Sequence, residues 1–147
     1  MVNTVRAKDV WEVFEAISKA SSRKEKIKIL RANNKPAVRD VLRGTFDPVI
    51  VWALPEGVPP YTPQPEGPPS PRSLLKEHMT FRYFIKGFPS AENLDQLKRE
   101  RLFIDLLECV QPKDAAILVT MINKQKPEYD GLTIKLVKEA LPDLIPD

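Results

Sequence analysis

Nine cationic side chains, Lys19, Arg23, Lys24, Lys26, Lys28, Arg31, Lys35, Arg39 and Arg43, meet only two anions, Glu25 and Asp40. Residues 19–43 therefore carry +7 in a chain whose formal net charge is +3. The chemistry open to such a run is capture of a polyanion, because lysine and arginine neutralise phosphate charge and release counterions without reading bases. Spacing sharpens the expectation. A helix starting at Arg23 turns about 100° per residue, which places Lys24, Lys28 and Arg31 on one face, away from Ile27 and Leu30. Lys35, Arg39 and Arg43 recur every four residues in a following helix and form a second stripe. Like charges at these spacings destabilise an isolated helix by roughly 0.2–0.5 kcal/mol per pair, and an external polyanion would relieve that repulsion. Neither face interleaves Asn, Gln or aromatic residues at helical spacing, so base readout is not expected.

The residue types that catalysis needs are sparse. His78 is the only histidine and Cys109 the only cysteine, which excludes an internal disulfide and leaves no spacing for a zinc site or a triad. Cys109 follows Leu106 and Leu107 on an apolar pattern, predicting a buried thiol rather than a nucleophile. The chain has five glycines and no glycine-rich phosphate cradle, paired-cysteine motif or His-Glu helix pattern. Glu128 and Asp130 sit in a turn context, where capping accounts for them without acid or base work. These residues predict no enzyme, no cofactor and no metal.

The elements that position the cations follow from apolar periodicity. At 147 residues, 42% hydrophobic and 29% charged, the chain suits one domain with a single core and has no apolar run of the ~20 residues a bilayer requires. Its sequence divides into a basic three-helix unit (1–44), an extended proline-rich connection (45–72) and a helical remainder (73–147). Val10, Val13, Phe14 and Ile17 predict a first helix from Lys8 to Ala20. Ser22-Arg23-Lys24-Glu25 reads as a capping box opening a second helix, which fades at Asn33-Asn34. Pro36 suits the first turn of a third, with Gly44 as a left-handed stop. Residues 45–54 are β-branched and aromatic, fitting a short strand or an extended buried segment, with no second strand evident.

Eight of the fifteen prolines lie between Pro55 and Pro71, so that stretch is expected to run extended, as a loop packed along the surface. Ser70-Pro71 reads as the cap of the next helix, continuing through Leu74, Leu75, His78 and Met79 toward Gly87. Ser90 reads as a cap before a helix with Leu94, Leu97, Arg101, Ile104, Leu107 and Val110 inward. Pro112 opens another, with Ala115, Ala116, Leu118, Val119 and Ile122 inward, and a last helix follows Asp130-Gly131. The expected fold is an all-α bundle of about six to seven short helices with a proline-rich extended loop.

The text from Val13 to Leu54, with Ala-Ser-Ser-Arg-Lys-Glu-Lys-Ile-Lys-Ile-Leu followed by Val-Leu-Arg-Gly-Thr-Phe-Asp-Pro, resembles the opening of phage-type ATP-dependent DNA ligases. The closing Ala140-Leu141-Pro142-Asp143-Leu144-Ile145-Pro146 is similar to the Leu-Ile-Pro segment that ends their all-helical DNA-binding domain. The ligase nucleotidyltransferase domain and its Lys-x-Asp-Gly signature are absent. In Lys126-Pro127-Glu128-Tyr129-Asp130-Gly131 the lysine stands four residues before the aspartate instead of two. The resemblance implies a DNA-binding domain detached from its catalytic partner, in a phage-encoded accessory protein.

The leading expectation is thus a non-catalytic protein that contacts the phosphate backbone of double-stranded DNA through Lys24, Lys28, Arg31, Lys35, Arg39 and Arg43. The alternative is a protein-protein interaction module acting on a host or phage replication or transcription protein, its surface the proline-rich segment with Trp52 and Tyr61. The opening MVNTVRAKDVWE has charges where a secretory signal needs an apolar stretch, which predicts a cytoplasmic chain with no membrane partner.

Overall fold

Residues 8–146 are described by the structure, a computed structural model. Eight α-helices and one 3-10 helix are present among them: α1 Val10–Lys19, α2 Arg23–Ala32, α3 Pro36–Phe46, α4 Leu74–Glu77, the 3-10 helix His78–Tyr83, α5 Pro89–Glu92, α6 Gln96–Cys109, α7 Pro112–Ile122 and α8 Ile134–Ala140. The all-α expectation holds. One contiguous core runs from Val10 to Ile145 and takes in the buried side of every long helix. Of the first three helices, α2 packs on α1 and α8, and α3 packs on α7, α4 and the 3-10 helix.

Local signals set several boundaries. Val10, Val13, Phe14 and Ile17 are all buried on α1. At Ser22 the hydroxyl half of the expected capping box is present, with Oγ accepting from the Glu25 N–H at 3.1 Å. The reach-back carboxylate occurs one helix earlier, where Glu12 accepts from the Asp9 N–H at 2.9 Å. Gly44 does not stop α3 in a left-handed conformation; the helix runs two residues past it. Its role is close approach: a Cβ there would lie 2.5 Å from Trp52 Cζ2 and 2.8 Å from Met121 Sδ. Trp52 presses onto α3 at this point and donates its Nε1–H to the Gly44 carbonyl at 2.9 Å.

Beyond α3 the chain is extended without forming a strand. Trp52 pairs with Ile85 in a single antiparallel bridge, flanked by bonds from Ala53 N–H to Phe84 O (2.7 Å) and from Lys86 N–H to Val51 O (2.8 Å). The proline-rich stretch then crosses the surface as expected and is fastened at several points. Asn123 clasps Gly57, accepting its N–H at 2.7 Å and donating to its carbonyl at 3.0 Å. Glu108 accepts from the Thr62 N–H at 2.6 Å, its carbonyl accepts from the Gln64 amide, and Tyr61 packs against the core.

Three expectations for the carboxyl half are corrected. Ser73, not Ser70, caps α4, its hydroxyl accepting from the Leu75 N–H at 3.1 Å; Arg72 is held to the Cys109 carbonyl at 3.0 Å, which keeps the chain before Ser73 non-helical. Ser90 lies inside the one-turn α5, and α6 is opened by Asp95, which accepts from the Lys98 N–H at 2.8 Å. That later start changes which residues face inward: Phe103, Leu106 and Leu107 are buried on α6, while Leu97 is 69% exposed and Arg101 is also exposed. On α7, Ala116 faces outward and Ile117 and Met121 are buried.

Asp114, in the first turn of α7, is 1% exposed and accepts the Trp11 N–H of α1 at 2.9 Å. Burial pushes its carboxyl up to about 7 against the pull of that hydrogen bond, and Asp9 and Glu12 push the same way. Between pH ~4 and ~7 the folded state therefore holds a proton that the unfolded chain has lost, so this group's contribution to stability falls as pH rises through that window. Asp114→Asn keeps an acceptor for Trp11 and cannot ionise. Denaturant unfolding at stepped pH should show the wild type losing on the order of 2–4 kcal/mol relative to the variant between pH ~4 and ~7. Gly44→Ala should destabilise the fold by about 1–3 kcal/mol through overpacking against Trp52 and Met121, read as a lower denaturant midpoint at unchanged slope.

Candidate nucleic-acid interface

α2 presents Lys24 and Lys28 on its outer face, both exposed, and neither forms an ion pair or hydrogen bond among the described residues. Two of its other cations, Lys26 and Arg31, are held by backbone carbonyls. Lys26 carries its ammonium back over the end of α1 and donates to Ile17 O at 2.7 Å, Ala20 O at 3.1 Å and Ser18 O at 3.3 Å. The stem passes so close to Gly131 that a Cβ there would meet Lys26 Cε at 2.7 Å. Arg31 crosses to the end of α8, where Nε donates to Ala140 O at 3.1 Å and Nη2 to Glu139 O at 3.2 Å. Arg23 meets the Glu139 carboxylate, with Nε and Nη2 on the same oxygen at 2.9 and 2.6 Å.

Both carbonyl clusters are helix C-termini, where up to four C=O groups lack intrahelical partners and the macrodipole is negative. The repulsion along α2 is thus relieved in part from within the fold.

The second stripe is less uniform. Lys35 is the half-buried residue before α3, Arg39 donates to Asn34 Oδ1 at 2.9 Å, and exposed Arg43 faces Asp47 one turn on at 3.8 Å, too far for a hydrogen bond. Of the six residues singled out from the sequence, Lys24 and Lys28 share one open face. Arg31 leaves that face to cap α8, and Lys35, Arg39 and Arg43 lie along a helix with a different set of neighbours.

His78 and Asp40, 38 positions apart, meet with Nδ1 2.6 Å from Oδ2. Nothing in the sequence pairs them; the packing of α3 on the 3-10 helix does. Cys109 lines a different cavity, beside Arg72 and Glu77, and donates its Sγ–H to the Leu106 carbonyl. Burial first, then the Glu77 carboxylate, raise its thiol above the ordinary range, the reverse of an activated thiolate. Trp52, named as part of a surface for partners, is 7% exposed and committed to Gly44. No group of three or more metal-ligating side chains occurs among the described residues, and none of their helices is long and apolar enough to cross a membrane.

The fold and this surface define an all-helical domain with an open cationic face. Residues 13–127 match a family of unknown function, DUF6433, and the chain belongs to that family. The matched span takes in α2 and α3 and stops before α8. No curated protein and no solved structure matches the chain.

The two kinds of cation should separate on substitution. Arg31→Ala strips two donors from the end of α8 and should lower stability by about 0.5–1.5 kcal/mol, whereas Lys24→Ala should change it by less than about 0.5 kcal/mol. Thermal unfolding followed by circular dichroism compares them directly.

Proposed function

We propose that this protein is a non-catalytic nucleic-acid-binding protein that lays the outer face of α2 along the phosphate backbone of double-stranded DNA, with little sequence preference. One observation carries the reading: Lys24 and Lys28 stand exposed one helical turn apart, with no carboxylate partner among the described residues, inside a segment of charge +7. Lysine is a compact charge on a flexible stem, suited to phosphate contact and not to planar base readout. Lys35 and Arg39, at the start of α3, extend the positive field, and Arg31 contributes charge while its donors hold α8. The likeness of residues 13–54 and 140–146 to the DNA-binding domain of phage-type ligases supports the same reading.

Titration of a blunt duplex at two salt concentrations tests it. The wild type should bind with a log affinity that falls linearly with log salt. Lys24→Glu combined with Lys28→Glu should reduce that slope by about 2 and cut low-salt affinity roughly 10- to 100-fold, with the unfolding midpoint unchanged. Absence of duplex binding at low ionic strength, or equal binding by the double variant, refutes the proposal.

A further inference from the structure

A cavity of ≈ 290 Å³ opens between α3, residues 50–52 and the stretch from the 3-10 helix to Phe88. Its floor is the buried Trp52 and Phe81 pair, edge to face with centroids 5.7 Å apart. At its rim stand Met79 and Phe88, 66% and 44% exposed. Arg43 and Arg82 border it, and so does His78, whose ring is turned by the Asp40 carboxylate. With Nδ1–H given to Asp40, the nitrogen left for a ligand is Nε2, which donates to a phosphate oxygen when the ring carries both protons.

The guanidiniums set this cavity apart. Arg23, Arg31, Arg39 and Arg99 all donate to carboxylate, amide or backbone oxygens at 3.2 Å or less. Among the described residues Arg43 makes no hydrogen bond, only an ion pair with Asp47 at 3.8 Å, and Arg82 lies over the Tyr83 ring, 5.2 Å from its centroid, with one long 3.4 Å contact to the hydroxyl of the same residue. Both keep most of their fork of donors for something else. Guanidinium forks fit phosphate oxygens two at a time.

The other sizeable cavities lack this combination. One is lined by Glu56 and Glu100 with no cation. A second holds Lys124, whose ammonium is spent on the Asp47 carbonyl at 2.8 Å, and exposed Lys86, with no guanidinium. In a third, Arg72 is the one guanidinium, facing Glu77 at 3.7 Å with Asp105 beside it, and no second arginine or histidine borders the space. A site with unspent guanidiniums beside exposed Met and Phe suits a ligand that joins a phosphate to a flat ring, since an aromatic face accepts any base without reading its edge. Its volume, near the lower end of the ~300–1,000 Å³ typical of small-molecule sites, admits about one such unit.

We propose that this cleft binds a single nucleotide, with the phosphate on Arg43, Arg82 and His78 Nε2 and the base against Met79 and Phe88. The site stands on its own lining and does not depend on the backbone-binding reading of α2. The ligand chemistry is common to a free mononucleotide and to the unpaired, 5′-phosphorylated end of a strand.

The test is a nuclear magnetic resonance titration of the full chain with deoxyadenosine monophosphate, deoxyadenosine, inorganic phosphate and a short 5′-phosphorylated single strand, following the Trp52 indole and His78 ring signals. The monophosphate should shift both signals and bind at least about tenfold more tightly than deoxyadenosine or phosphate alone. Arg82→Ala and Met79→Ala, both at exposed positions, should each weaken it by about fivefold or more. The Lys24→Glu, Lys28→Glu protein should bind it as the wild type does, which separates failure here from failure of the duplex reading. Response to the single strand but not to the free monophosphate supports the site with a strand end as its source. Inorganic phosphate binding as tightly as the monophosphate, no shift with any of the four at about 5 mM, or shifts untouched by both alanine variants overturns the proposal.

Discussion

The fold depends on two cations of α2 reaching the carboxyl ends of other helices. Lys26 closes α1 with three carbonyl contacts, and Arg31 closes α8 with two. α8 has seven residues, too few to be stable in isolation. Beyond its apolar side chains, the pair of bonds from Arg31 and the Arg23–Glu139 ion pair tie it to α2 in the amino-terminal half. Glycine makes the first of these arrangements fit: Gly131, at φ +80°, leaves room for the Lys26 stem to pass over the turn that leads into α8. The basic run is therefore a structural clamp before it is a surface.

That use of charge sorts the nine cations of residues 19–43. Several face a helix end or a carboxylate of the protein itself: Lys19 meets Glu15, Arg23 meets Glu139, Arg43 stands 3.8 Å from Asp47, and Lys26 and Arg31 are held by carbonyls. Lys24 and Lys28 face away from α1 and α8 and keep their charge for the outside. A patch reduced in this way carries fewer open charges than the raw sum of +7 suggests, and Lys24 and Lys28 are the open pair on α2 among the described residues. On such a face, salt screens binding strongly.

Trp52 links interior and surface at the opposite side of α3. Its indole lies on Gly44 and beside Met121, fixing α3 to α7, while the same ring and Phe81 form the base of the cleft bordered by Arg43, Arg82 and His78. A floor built from core residues is rigid, which lets side chains on the rim hold a defined spacing. The strap of residues 55–71 also serves the fold: its bonds to Asn123 and Glu108 close it over α6 and α7 and hold against the body a segment in which eight of seventeen residues are prolines without a backbone donor;.

By itself the sequence determined the all-helical class, the starts of α2, α3 and α7, the existence of α8 after Gly131, the buried face of α1 and the extended course of the prolines. Those features follow from apolar periodicity, from Ser and Pro at first turns and from missing backbone donors, all of which act over a few residues. It misplaced the starts of α4 and α6, because Ser70 and Ser90 are equally good caps until contacts such as that of Arg72 with Cys109 choose between candidates. Gly44 was legible as special and not as a seat for Trp52. Only the tertiary structure decided which cations remain open and that His78 meets Asp40. The partners of Arg31 lie 109 and 108 positions away and that of His78 lies 38 away. No local pattern encodes a pairing that exists only once distant helices have packed.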